Sequence, residues 1–88
     1  MEQKEEYAAL MTEIIGKQAV ILGPDIAIMK AKNIGELAIS GDGKVTDIQG
    51  DPGTALGKLV DAYVELSGQI VKNTLSSVFT KYPSIKVS

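Results

Sequence analysis

The sequence predicts an α+β domain with the element order α-α-β-β-α. Three observations carry that class: apolar residues at helical spacing over 7–22, two strand-like segments around a Gly-Asp-Gly turn within 36–49, and a second, longer helical stripe opening at Pro52. At 88 residues the chain is expected to form a single domain over 1–88.

Tyr7, Leu10, Met11, Ile14 and Ile15 fall at i, i+3, i+4, i+7 and i+8, one face of a helix. Glu2, Glu5 and Glu6 stand in its first turn, where the helix dipole favours negative charge. Glu13 and Lys17 occupy the opposite face. Gly16 costs about 1 kcal/mol in a helix interior. The stripe nevertheless continues through Gln18, Ile21 and Leu22, so the helix is expected to reach Leu22 and stop at Gly23-Pro24. Pro24 also suits the first position of a following helix. Residues 25–33 carry Ile26, Ile28, Met29 and Ala31, a short helix in preference to a strand, although the alternation of Ile26 and Ile28 also admits a strand. Asn33 with Gly35 marks the end.

Glu36-Leu37-Ala38-Ile39-Ser40 alternates with period two. Gly41-Asp42-Gly43 reads as a turn, with Gly supplying positive φ and Asp tolerating it. Lys44–Gln49 returns as a strand rich in β-branched residues. Val45 and Ile48 are three apart and share a face only through a bulge; otherwise this strand is irregular or buried on both sides. An isolated hairpin is marginal in water, so a helix or a second hairpin must cover it.

Asp51 suits an N-cap and Pro52 the first helical position. Apolar residues then recur from Leu56 to Tyr82, covering half of the helix circumference or more, until Tyr82-Pro83 ends the helix. Val60, Val71 and Tyr82 are eleven apart, as are Val64 and Leu75, a spacing that keeps a seam on a nearly straight helix. Such a stripe is wider than one small core requires. The N-terminal half is expected to cover the hairpin and the C-terminal half to meet another surface. Tyr63, Leu66, Ile70, Leu75, Val78 and Phe79 are the expected interface residues, divided between core and contact.

Composition narrows function. There is no His, Cys or Trp, and all nine basic residues are Lys. Without Cys there is no thiol nucleophile, disulfide or thiolate metal site. Without His the usual near-neutral general base is missing, and without Arg the bidentate fork for phosphate or carboxylate. A net charge of -2 with no basic cluster, Lys30 and Lys32 being the closest pair, argues against nucleic acid. The acidic, polar start is unlike an export signal, and the longest apolar run, Ala19–Leu22, is too short to span a membrane, so a cytoplasmic location is expected. A hydrophobic fraction of 44% and mean hydropathy of +0.10 are high for so short a chain, and the expected remedy is self-association.

Local motifs add little chemistry. Residues 50–59 resemble a phosphate loop superficially, but Pro52 stands where the first Gly belongs and Leu59 where the Mg-binding hydroxyl belongs. Residues 41–47 lack the ligand set of a calcium loop. The carboxylates are scattered over turns and solvent faces, and Ser67, Ser76 and Ser77 have no base beside them. The chain is therefore expected to be no enzyme and to need no cofactor or metal.

Leu37–Val45, followed by Asp51 and the helix from Ala55 to Ile70, resembles the first half of a roadblock/LC7 domain, the likeness covering residues 36–70. In that family a strand, an Asp-Gly turn and a second strand lead into a long helix that builds a homodimer interface, and members act as scaffolds or regulators of small GTPases. The resemblance implies the same dimeric, scaffold-type role here. The expected function is a non-catalytic interaction or regulatory module, acting as a homodimer or larger oligomer, with another protein as a second candidate partner. The alternative is a small-ligand sensor with an apolar pocket between the long helix and the hairpin.

Overall fold

The computed structural model describes residues 3–67. Its elements are helix α1 (Gln3–Leu22), helix α2 (Pro24–Lys32), strand β1 (Leu37–Ile39), strand β2 (Val45–Ile48) and helix α3 (Pro52–Ser67). The α-α-β-β-α order of an α+β fold is therefore present. The expected continuation of the last helix, with Ile70, Leu75, Val78 and Phe79, lies outside the described residues.

On α1 the predicted stripe is the buried one: Leu10, Met11, Ile14, Ile15 and Gln18 are all closed to solvent. The stripe does not extend to Ile21, which is 40% exposed because the helix ends there and its neighbours fall away. The corner from α1 into α2 is a single residue. Gly23 adopts φ 95°, donates its N–H to the Ala19 carbonyl at 3.0 Å and accepts from the Ala27 N–H at 3.1 Å. One glycine in a conformation costly for other residues thus ends one helix and starts the next. Residues 24–32 are helical, which removes the strand alternative. Ala27 and Ala31, four apart, form the buried face, while Ile26 stays exposed. Two alanines on that face let α2 sit close to its neighbours.

β1 and β2 pair antiparallel, with Leu37 opposite Ile48, Ala38 opposite Asp47 and Ile39 opposite Val45. Thr46 is the extra residue of a bulge, and its hydroxyl donates to the Ala38 carbonyl at 3.1 Å. The bulge puts Val45 and Ile48 on one buried face, as their three-residue spacing required. In the turn the positive φ falls on Gly43 alone, at 89°. Asp42 keeps negative φ and acts through its carboxylate, which accepts the Ser40 hydroxyl.

α3 begins at the expected cap: Asp51 Oδ2 accepts the Thr54 N–H at 2.9 Å and the Thr54 hydroxyl at 2.8 Å. Its buried residues are Ala55, Leu56, Leu59 and Tyr63. α3 packs chiefly on α1 and α2, and the hairpin packs on the same two helices. This corrects the expectation that α3 covers the hairpin. The broad apolar face of α1 and the small residues of α2 cover it instead, and an ion pair at the surface, Lys58 with Glu36, links α3 to the hairpin.

Candidate functional site

Among the described residues, no three carboxylates, His or Cys stand together as a metal site would require. No helix there is long and apolar enough to cross a membrane. The phosphate-loop-like segment is a capped helix start: the Asp51 carboxylate accepts the Thr54 N–H and places its own negative charge where an anion would sit. Four grooves formed by the described residues lie between α1 and β2, and between α2 and the hairpin turn.

The titratable groups divide simply. Glu36 is held below the usual carboxylate range first by a hydrogen bond from Lys58, Asp42 by the Ser40 hydroxyl, and Asp47 by Lys4, 2.9 Å away. Asp42 and Asp47 are exposed and Glu36 is partly exposed, so these are surface ties. A carboxyl whose folded pKa is lowered contributes stability above its unfolded pKa and loses it as pH falls through the folded value. The melting temperature is therefore expected to decline only below about pH 4.5 on account of these groups, a small change that melting curves from pH 7 to pH 3 would reveal.

Two polar side chains inside the fold have different standing. The Thr12 hydroxyl donates to the Ala8 carbonyl at 2.8 Å and accepts the Val45 N–H at 3.0 Å, tying β2 to α1. Thr12→Val is expected to cost about 1–2 kcal/mol by orphaning that amide, with Thr12→Ser close to the parent, as read by urea titration. Gln18 has no solvent exposure, and among the described residues neither its Oε1 nor its Nε2 has a hydrogen-bond partner. A buried amide in that state costs about 1–3 kcal/mol. Gln18→Met, of similar shape, is expected to raise the melting temperature, and an unchanged or lower value would refute the burial.

The residues expected at an interface separate clearly. Tyr63 belongs to the core: it is fully buried and its hydroxyl donates to the Ala27 carbonyl at 2.7 Å. Burial pushes that hydroxyl above its ordinary pKa, so it remains a donor. Leu66 lies on the same helix stripe as Leu59, seven residues earlier, yet is 44% exposed while Leu59 is fully buried. The apolar seam of α3 thus outruns the packing available to it. Ile70, Leu75, Val78 and Phe79 lie outside the described residues. The structure adds an exposed face on α2 to these, with Ile26 at 45% and Met29 at 53% exposure. Its signal in the sequence is the i, i+3 spacing of two apolar residues, which marks a helix without saying which side faces solvent.

No protein-family model matches the chain, and neither a curated protein nor a solved structure matches it.

Proposed function

We propose that the chain is a small non-catalytic interaction or regulatory module that works as a homodimer or larger oligomer, with a cytoplasmic location. The observation that carries this reading is the α3 seam. Leu59 is enclosed, Leu66 on the same line is open, and the sequence continues that line with Ile70 and further apolar residues. A helix that keeps an apolar stripe past the end of its own core needs a further surface to cover it. A chain of this size, with no disulfide to staple it, gains most from a second copy. The resemblance of residues 36–70 to half of a roadblock domain agrees with the same role.

Sedimentation of the full chain from 10 to 500 µM tests this. A concentration-dependent rise in mass, weakened in Leu66→Glu, is expected. A monomer across that range would sink the reading.

A further inference from the structure

We propose that the outer face of α2 is a self-complementary contact on which a second copy's α2 packs antiparallel about a two-fold axis near Met29. The inference rests on the reading that the chain self-associates and adds a second face to the α3 seam. Helix α2 buries Ala27 and Ala31 against its own domain. At 100° per residue the opposite face carries Asp25, Met29 and Lys32, with Ile26 alongside. Met29 is 53% and Ile26 45% exposed. Asp25, Met29 and Lys32 also line a shallow groove that reaches Gly41 of the hairpin turn, with Ile28 and Asn33. The face therefore offers an apolar centre, one charge of each sign at its ends, and a depression beside it.

The order of charges selects the occupant. Asp25 stands in the first turn and Lys32 in the last, with Met29 close to midway between them. Turned end for end about an axis at that midpoint, a second copy places its Lys32 opposite Asp25 and its Asp25 opposite Lys32. Two reciprocal ion pairs then flank a Met29–Met29 contact, the pattern an isologous interface demands. Neither Asp25 nor Lys32 makes an ion pair or side-chain hydrogen bond within the described residues. A parallel pairing would instead set Asp25 against Asp25 and Lys32 against Lys32. A nine-residue helix offers a small contact, of the weak and reversible class.

The absence of cysteine makes the test clean. Two helices packed about 8–10 Å apart bring facing Cα atoms to about 4–6 Å, within disulfide reach. Full-length Met29→Cys is therefore expected to give a covalent dimer under mild oxidation at about 100 µM. Adding Asp25→Lys is expected to reduce the cross-linked yield about tenfold, since both pairs become like-charged. Asp25→Lys with Lys32→Asp restores opposition and is expected to recover the yield. The double reversal also opposes the helix dipole, so its melting temperature should fall slightly even as cross-linking returns. That split separates pairing from helix stability. Failure of Met29→Cys to cross-link, or cross-linking indifferent to the single reversal, overturns the proposal. If oligomers sediment without that cross-link, only the α2 contact is lost; if the chain is monomeric throughout, both readings fall. Cross-linking of Met29→Cys to a cysteine placed at Val71 of the same chain, in preference to a second copy, would assign the face to residues 68–88 and overturn it too.

Discussion

Replacing Tyr63 by Ala is expected to lower stability by about 3–5 kcal/mol, the range for deleting a large buried side chain. Tyr63 is the largest side chain enclosed in the core, and its hydroxyl reaches across to the Ala27 carbonyl of α2. The substitution leaves a cavity where α3 meets α2 and removes the hydrogen bond between them. Small domains hold about 5–15 kcal/mol in all, so the variant should be substantially unfolded on mild warming. Tyr63→Phe should cost only about 1 kcal/mol. The Ala27 carbonyl, inside a helix, still takes the N–H four residues on. Melting followed by circular dichroism decides the matter: a Tyr63→Ala variant that melts with the parent would mean that α3 is not docked on α2 by this residue.

Gly43→Ala is expected to cost about 2–3 kcal/mol. Gly43 sits at φ 89°, where an L side chain carries a penalty of about 1–2 kcal/mol. An added Cβ would also lie 3.2 Å from Ile28 Cγ1 and 3.3 Å from Ile15 Cγ2, tighter than ordinary contact. The hairpin turn is seated on α1 and α2 at this point, so the strain falls on the joint between the hairpin and the helices. Gly41→Ala, in the same turn with negative φ and open space, should change stability by less than about 0.5 kcal/mol. Ile28→Ala, which removes the Cγ1 that the new Cβ would crowd, should relieve part of the Gly43→Ala loss, giving a positive coupling in a double-mutant cycle. Equal effects at Gly41 and Gly43 would show that the turn is not seated as described.

Much of this architecture was legible because local chemistry and global packing agree. The α1 stripe, the Gly23-Pro24 corner, the Asp51 cap and the bulge between Val45 and Ile48 are each dictated by residues within one or two turns of the feature. What sequence could not decide was partnership between elements. Nothing in the spacing of Leu56, Leu59 and Tyr63 says whether they face the hairpin or the two N-terminal helices. That choice was made by Ala27 and Ala31, whose small size leaves room for Tyr63 over α2. Gln18 lies on the line of the α1 stripe by spacing, but its polarity gives no sign of full burial, and only the assembled core shows it enclosed. At the candidate interface, Leu66 was legible as a member of a stripe too wide for one core. The α2 face was not, because exposure of Ile26 and Met29 is set by which side α1 and α3 take.

The Thr12 tie also bears on how this chain avoids clumping. A two-stranded sheet has two open edges, and open edges recruit further strands from neighbouring molecules. On β2 the Val45 amide is already spoken for by the α1 hydroxyl, and the bulge at Thr46 breaks the regular ladder beside it. A stray extended segment meeting that edge finds one donor taken and the repeat out of step. The chain thereby hinders strand addition at its β2 edge, one route to fibrous assembly.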